Sequence, residues 1–126
     1  MSAQEGHKKT YSEQEIEARL KSGLLHWSFK DGFIYRKYST HGWKSTLMVI
    51  NAIGHLAEAA WHHPDIAASY DFVEVRLKSH DANGITERDF QLAKKIEEFV
   101  NWQPGKEGGP FTGTPRELRY AYIKYD

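Results

Sequence analysis

The sequence predicts an α+β sandwich, an antiparallel sheet with helices packed on one face, followed by a C-terminal extension. Three observations lead to this fold class. Helical and strand patterns follow each other in the order α-β-β-α-β(β)-α. Two of the strand patterns are separated only by residues 30–32, whose Asp-Gly pair is a strong hairpin signal. Strands joined in hairpins form antiparallel sheets, and the intervening helices then cover one face.

The first elements are a short helix and a hairpin. The helix is predicted at residues 12–22, where Ser12 and Glu15 stand at the spacing of a capping box. In that motif each side chain bonds the backbone N–H of the other residue, which fixes the helix start. The hairpin strands are expected at residues 25–29 and 33–39, on either side of the Asp-Gly turn.

The longest helical pattern covers residues 40–61, and Pro64 ends it because the residue before a proline avoids the α region. Apolar residues recur along it in alternating steps of four and three, the spacing of one helix face. We expect this face to lie in the core or in a subunit interface; it comprises Trp43, Leu47, Ile50, Gly54, Ala57 and Trp61. A polar stripe beside it comprises Asn51, His55, Glu58 and His62.

Two more strands and a last helix follow. A short strand is expected at residues 66–68 and a longer one at residues 72–78. The inward residues of the longer strand are predicted to be Val73, Val75 and Leu77. Thr86 and Asp89 can cap the last helix, whose Lys and Glu pairs are expected on a solvated face. Its apolar face is predicted to comprise Phe90, Ala93, Ile96 and Val100.

The domain organisation follows from length and local composition. A chain of 126 residues is long enough for one domain with its own core. Residues 1–10 are polar and are expected to be disordered, and residues 11–102 form the domain. Residues 103–126 are an extension, which begins as a loop rich in Gly and Pro and ends in a strand-like tail.

Composition also excludes several functional classes. Lys plus Arg and Asp plus Glu number 17 each, so no basic face for direct nucleic-acid binding is expected. The absence of cysteine excludes disulfides and thiolate metal sites. No apolar run is long enough to span a membrane, and no apolar leader is visible at the N-terminus. We therefore expect a cytoplasmic protein.

Histidines and carboxylates mark the ends of the predicted elements, beginning with the stretch WHHPDI. His62 and His63 end the long helix, and Glu58 lies one turn before His62. His80 follows the longer strand, and Asp89 lies in the first turn of the last helix. Imidazole titrates near about pH 6.5 and can donate or accept protons. Since no serine or cysteine stands out as a nucleophile, the pattern predicts proton transfer without a covalent intermediate.

The spacing of these residues resembles the signature of the pterin-4a-carbinolamine dehydratase family. The resemblance covers roughly residues 12–102 and includes GITERDFQLAKKIEEF, which is similar to the last helix of that family. It implies a four-stranded antiparallel sheet with three helices on one face, assembled as homodimers or homotetramers, with no metal and no cofactor. The spaced signature is Glu58-x3-His62-His63-Pro64-x5-Tyr70-x9-His80-x8-Asp89.

The reaction implied by this resemblance is loss of water from 4a-hydroxytetrahydropterin to give quinonoid dihydropterin. The 4a-hydroxyl must be protonated to leave, and a ring nitrogen must give up a proton. We assign these transfers to His62 and His80 as an acid–base pair, and we expect His63 to bind and polarise the pterin. Alanine at His63 or His80 should then slow dehydration by about 10²-fold or more.

The remaining positions of the signature are expected to support these histidines. Glu58 and Asp89 are the carboxylates available to orient the imidazoles and fix their tautomers. Trp61 or Tyr70 could form a wall of the substrate pocket by stacking on the pterin ring.

Two other functions are compatible with the sequence. A metal site could use His55, Glu58, His62, His80 and Asp89, although no HExxH motif is present. Proteins similar to the family also include transcriptional coactivators and assembly factors for ribulose bisphosphate carboxylase, which work through a surface instead of the histidines. The tail at residues 103–126 could be such a surface, an arm that pairs with a protein partner, or an extra strand of the same subunit.

Overall fold

The computed structural model describes residues 9–126, and the first eight residues, which hold most of the predicted disordered segment, lie outside this description. Its helices are α1 (Glu13–Lys21), α2 (Trp43–Ala60) and α3 (Glu87–Val100). Its strands are β1 (Ser28–Lys30), β2 (Phe33–Thr40), β3 (Asp65–Ser69), β4 (Phe72–Leu77) and β5 (Ile123–Lys124). No helix in this part of the chain is both long and apolar enough to cross a membrane.

The strands form one antiparallel sheet in the order β1-β2-β4-β3. A fifth strand, β5, comes from the C-terminal extension. Its residues Ile123 and Lys124 pair with Thr40 and Ser39 at the far end of β2, beyond the part that pairs with β1. The predicted α+β class is confirmed, and the extension adds a short strand to the four strands of the body.

The first helix and the first turn have the predicted local structure. Ser12 caps α1, and its side chain and that of Glu15 make the reciprocal bonds of a capping box. Asp31 and Gly32 have φ angles of 54° and 84°, as a two-residue type I′ hairpin turn requires. Strand β1 begins at Ser28, later than predicted, because residues 24–27 form a turn.

The core lies between one face of the sheet and the three helices. The inward residues of β4 are fully buried, as predicted, and those of β2 alternate in the same way. The predicted apolar face of α3 is also confirmed, since its four residues are at most 7% exposed. Each large aliphatic side chain buried here contributes about 1.5–3 kcal/mol. The main contacts of this layer are made by Ile34, Tyr38, Val73, Val75, Leu77, Phe90, Ala93 and Ile96.

The buried face of α2 agrees with the predicted one only in part. The helix presents Thr46, Val49, Ile53 and Ala57 to the sheet, each at most 3% exposed. The predicted stripe includes the buried Ala57 and the partly buried Ile50, but its members Trp43, Leu47 and Trp61 are 54%, 42% and 73% exposed and lie outside the core of the subunit. This difference has a physical cause: α2 is apolar on two adjacent stripes, and helical periodicity fits both of them. Packing against the sheet, which the sequence pattern does not contain, decides between them.

One carboxylate of α3, Glu97, was predicted on a solvated face, but its side chain is only 21% exposed. Glu97 accepts hydrogen bonds from Trp27 Nε1 at 2.9 Å, Arg36 Nε at 3.1 Å and the Tyr38 hydroxyl at 2.7 Å. Burial raises the pKa of Glu97, but the bonds from Arg36, Tyr38 and Trp27 outweigh it and lower this pKa overall. These bonds hold α3 against the sheet.

The C-terminal extension is attached to the body of the domain by several contacts. Ile123 is 6% exposed and joins the core, and the His41 N–H donates to the Tyr122 carbonyl at 3.0 Å. The Asp126 carboxylate forms an ion pair with Arg36. Only Ile123–Lys124 of the predicted strand-like tail is extended in the sheet; Leu118–Tyr120 forms a 3-10 turn.

Candidate active site

The end of α2 separates two adjacent histidines. Trp61 has a left-handed backbone, with a φ angle of 52°, and so ends the helix. The His62 N–H then donates back to the Ala57 carbonyl at 3.1 Å. This reversal turns the side chain of His62 inward, where it is 9% exposed, while that of His63 is 53% exposed. Neighbours in the chain therefore lie in very different environments.

His62 forms a buried pair with the carboxylate of α3. Its Nε2 lies 2.6 Å from Oδ1 of Asp89, which has no exposed surface. A contact this short is typical of a charge-assisted hydrogen bond. Because an ionised carboxylate can only accept, His62 donates from Nε2. The nitrogen left for proton exchange is Nδ1, for which the described residues provide no hydrogen-bond partner.

The other oxygen of this carboxylate is held from two directions. Asp89 Oδ2 accepts from the Ser79 hydroxyl at 2.8 Å and from the Thr86 backbone N–H at 2.9 Å. The second bond belongs to the capping box of α3, so helix capping and histidine orientation use the same carboxylate. Ser79 and Thr86 are themselves fully buried. Asp89 therefore has little freedom to move before a substrate binds.

His63 forms a second, exposed pair. Its Nε2 lies 2.9 Å from Oε1 of Glu58, whose side chain is 69% exposed. The Trp61 ring stands edge-on to the imidazole, with 5.0 Å between ring centroids. The structure thus assigns Glu58 to His63, although the sequence placed it on the same helix face as His62. This group of side chains faces solvent and could contact a ligand directly.

His80 is exposed and lies in the 3-10 turn His80–Ala82, directly after Ser79. Its ring packs edge-on against Phe33, with 6.3 Å between centroids. The chain thus carries His80 beside the residue that bonds Asp89, and no ring contact joins it to His62 in the described residues.

Tyr70 is not brought to this cluster by the chain. It lies in the turn between β3 and β4, at the end of the hairpin opposite to His63 and His80. There its hydroxyl lies against Gly42, at the start of α2, and its carbonyl accepts from Thr46 Oγ1 at 2.9 Å. Of the two side chains expected to stack on a substrate, Trp61 lies beside a site histidine and Tyr70 does not.

Sequence reasoning missed the role of Ser79. Its signal was nevertheless present, because Ser79 continues the odd-numbered inward positions of the strand after Val73, Val75 and Leu77. A polar side chain at a buried position needs a hydrogen-bond partner, and Asp89 is that partner.

As for metals, residues 9–126 contain no group of three or more histidine, aspartate or glutamate side chains arranged to hold an ion.

Comparison with known proteins supports a single family. Residues 9–99 match the family model described as pterin 4 alpha carbinolamine dehydratase. A protein from Aquifex aeolicus, provisionally named a pterin-4-alpha-carbinolamine dehydratase, is 49% identical over 71% of this chain and 89% of its own length. A relative from Sulfurisphaera tokodaii, with the same provisional name, is 37% identical over 73% of this chain and 98% of its own length.

Solved structures show the same fold. The crystal structure of a transcriptional coactivator/pterin dehydratase from Brucella melitensis has a TM-score of 0.68 and 25% identity, covering 74% of this chain and all of that one. A pterin dehydratase-like protein identified as a RuBisCO assembly factor in the alpha-carboxysome has a TM-score of 0.50 and 16% identity. It covers 60% of this chain and 87% of that one, and this likeness concerns the fold alone.

Proposed function

The chain belongs to the pterin-4a-carbinolamine dehydratase family, and on that premise we propose that it is a hydro-lyase acting on 4a-hydroxytetrahydropterin. The product is quinonoid dihydropterin, as expected from the sequence. The observation that carries the proposal is the buried bond between His62 Nε2 and Asp89 Oδ1 at 2.6 Å. It gives the chain an imidazole of fixed tautomer at the end of α2, and the next residue in the chain, His63, carries an exposed imidazole.

The dehydration needs two proton transfers and no external nucleophile. The bond between C4a and its hydroxyl oxygen breaks as an acid protonates that oxygen, which leaves as water. A base removes a proton from the adjacent ring nitrogen, and the electron pair of that N–H bond forms the new C=N bond. In our proposal His62 and His80 perform these transfers, with Nδ1 as the exchanging nitrogen of His62.

The exposed pair has a binding role in this proposal. His63 polarises the pterin, Glu58 orients its ring, and Trp61 provides an aromatic edge beside it. The support is the 2.9 Å contact between His63 and Glu58 and the 5.0 Å separation of the two rings. Within one chain Tyr70 lies at the other end of the β3–β4 hairpin, so the proposal assigns the aromatic wall to Trp61.

A direct dehydration assay with freshly prepared 4a-hydroxytetrahydropterin tests the proposal. Wild-type protein should accelerate the loss of water, and His80→Ala should lower kcat by about 10²-fold. His26→Ala is a suitable control, because His26 lies before β1 and outside the signature. A wild-type protein with no rate above the uncatalysed reaction would contradict the proposal.

A second candidate function, protein binding through the extension, is favoured by a specific surface. Trp102 and Phe111 are 56% and 59% exposed, and their rings stand edge-on with 6.0 Å between centroids. Together with Tyr125 they line an open cavity of about 770 Å³, whose charged lining residues are the two cations Lys106 and Arg116. Exposed aromatic side chains of this kind are common in protein interfaces. The cations favour a partner segment with acidic residues and an apolar anchor.

The two candidates separate cleanly by mutation. Titration with acidic peptides that carry one leucine should shift the indole N–H signal of Trp102, and Phe111→Ala should weaken that binding without changing dehydration. His80→Ala should have the opposite pattern. These variants are preferable to deletion of residues 118–125, which would remove Ile123 from the core. Equal binding of basic peptides would contradict an acidic partner.

Self-association is proposed as well. The exposed stripe on α2 that includes Trp43, Leu47 and Met48, and the free edge of β3, are surfaces on which a homodimer or homotetramer could form. Size measurement by light scattering checks this; Leu47→Glu should lower the mass of the assembly, and a wild-type monomer at all concentrations would exclude it. The cytoplasmic location stays a prediction from the sequence.

A further inference from the structure

Ser79 connects the two histidines to which proton transfer is assigned. Its hydroxyl donates to Asp89 Oδ2 at 2.8 Å, and Asp89 in turn accepts from His62. Thr86 Oγ1 lies 2.6 Å from the Ser79 oxygen. Because the single Ser79 proton goes to the carboxylate, the Thr86 hydroxyl must donate to Ser79. Two hydroxyls and a carboxylate therefore form a continuous buried chain that ends at His62.

The backbone of Ser79 fixes the turn that carries His80. Its N–H donates to the Gly84 carbonyl at 2.9 Å, and its carbonyl accepts from Ala82 at 3.1 Å and from Gly84 at 3.3 Å. These bonds close the base of the short 3-10 turn His80–Ala82. One buried residue thus holds Asp89 through its side chain and the His80 turn through its backbone.

We infer that Ser79 is a positioning residue: its hydroxyl fixes the Asp89 carboxylate in the rotamer that orients His62, while its backbone holds the His80 turn. The kinetic part of this inference rests on the proposed dehydratase function, whereas the structural part does not. Of the two bonds that Asp89 Oδ2 accepts, the one from the Thr86 backbone survives any side-chain substitution. The bond from the Ser79 hydroxyl is therefore the one that a substitution can remove while the capping box of α3 stays intact.

A second buried hydroxyl pair supplies a matched control. Thr46 Oγ1 lies 2.7 Å from Thr40 Oγ1 and donates to the Tyr70 carbonyl at 2.9 Å. Thr40 and Thr46 are fully buried, like Ser79, but lie near the end of β2 that is opposite to the one beside His80. Thr46→Val therefore removes a hydroxyl of similar burial and bonding without touching His62. It separates a general loss of packing from a loss of positioning.

The structural test follows the His62 ring N–H proton by NMR on labelled protein. In the wild type we expect a downfield, slowly exchanging Nε2–H signal. Ser79→Ala should speed its exchange with water by about 10-fold, the effect of losing roughly one net hydrogen bond. Ser79→Thr should restore slow exchange because it keeps the hydroxyl, and Thr46→Val should leave the signal unchanged. Unchanged exchange in Ser79→Ala, or equal acceleration in Thr46→Val, would overturn the inference.

The kinetic test uses the same variants in the dehydration assay. Ser79→Ala should lower kcat by about 10-fold with little change in KM, because it affects orientation rather than binding. If the wild type has no dehydratase activity, the proposed function fails while the NMR result still decides the role of Ser79. If Ser79→Ala does not fold, Ser79→Cys, whose thiol is a weaker donor than the hydroxyl, replaces it and should accelerate exchange in the same direction; no acceleration would again overturn the inference.

Discussion

Two adjacent histidines in this molecule form the same kind of carboxylate pair in opposite environments. His62 and Asp89 are 9% and 0% exposed, with 2.6 Å between the bonded atoms. His63 and Glu58 are 53% and 69% exposed, with 2.9 Å between them. Exposed pairs contribute little to stability because water and salt screen them. A buried pair that loses one partner leaves an uncompensated polar or charged group, which is far more costly.

The difference in exposure suggests that the two pairs have different roles in the proposed site. The buried pair is held before substrate arrives, so it suits proton transfer, which depends on orientation. The exposed pair can rotate and exchange its partner for a ligand, so it suits binding. The comparison predicts that matched substitutions in the two pairs will have very different effects on both kinetics and stability.

The largest effect is expected for Asp89→Asn. The amide can accept only through its one oxygen, so its NH₂ group must face either His62 or the donors of Ser79 and Thr86. Facing His62, it would require the other imidazole tautomer and move the exchanging nitrogen. We expect kcat to fall by about 10³-fold and the free energy of unfolding to fall by about 3 kcal/mol.

Steady-state dehydration kinetics and urea unfolding measure these two losses. Asp81→Asn is the control, because Asp81 is an exposed carboxylate in the neighbouring turn. A fully active and fully stable Asp89→Asn protein would contradict the proposed role of the buried pair in both catalysis and stability.

His63→Ala should have the next largest effect, on activity alone. The imidazole is exposed, so its removal should change the free energy of unfolding by less than about 0.5 kcal/mol. Dehydration should slow by about 10²-fold if the ring polarises the substrate. Assay and urea unfolding of the same preparation check both parts. Loss of stability together with activity would point to a structural role instead.

Glu58→Gln should have a much smaller effect. The amide can still accept from His63, and the pair is screened by solvent. We expect kcat/KM to fall by less than about 10-fold and stability to stay within about 0.5 kcal/mol. A loss as large as that of Asp89→Asn would show that exposure does not separate the two pairs.

Glu97 sharpens the comparison, because it is a carboxylate bonded to Trp27, Arg36 and Tyr38 instead of to a histidine. Its pKa is lowered in the folded state, so its stabilising effect is present above the unfolded value of about 4.5 and is lost as pH falls through the folded value. Glu97→Gln should lower the free energy of unfolding at pH 7 by about 1–3 kcal/mol. The difference from wild type should shrink at pH 3. Urea unfolding at both pH values measures it, and a difference that grows at low pH would contradict the assignment.

Local signals in the sequence predicted most of the fold. Three of these signals depend only on residues close in the chain, and the structure confirms each of them. They are the capping box at Ser12, the Asp31-Gly32 turn and the alternation of inward and outward side chains along β4. The buried face of α2 was predicted only in part. Its two apolar stripes fit the helical period equally well until the helix packs on the sheet, so the pattern placed the exposed Trp43, Leu47 and Trp61 on the same face as the buried Ala57.

In the candidate site, too, the sequence predicted some features and not others. The signature predicts which residues matter, and the structure pairs four of them as His62 with Asp89 and His63 with Glu58. Sequence spacing did not predict that Glu58 would bond His63, because this depends on the left-handed turn at Trp61. The sequence also did not predict Glu97 as a half-buried hydrogen-bond acceptor, since its donors come from distant elements. Polar contacts between residues far apart in the chain produce no periodic pattern in the sequence from which they could be predicted.

The most direct measurement is the kcat for dehydration of 4a-hydroxytetrahydropterin by Asp89→Asn and Glu58→Gln, compared in one assay with wild-type protein. Both substitutions exchange a carboxylate for an amide next to an imidazole, so they differ in environment more than in chemistry. The account predicts that the buried substitution lowers kcat at least about 10-fold more than the exposed one. Equal rates in the two variants, or an inactive wild type, would contradict it.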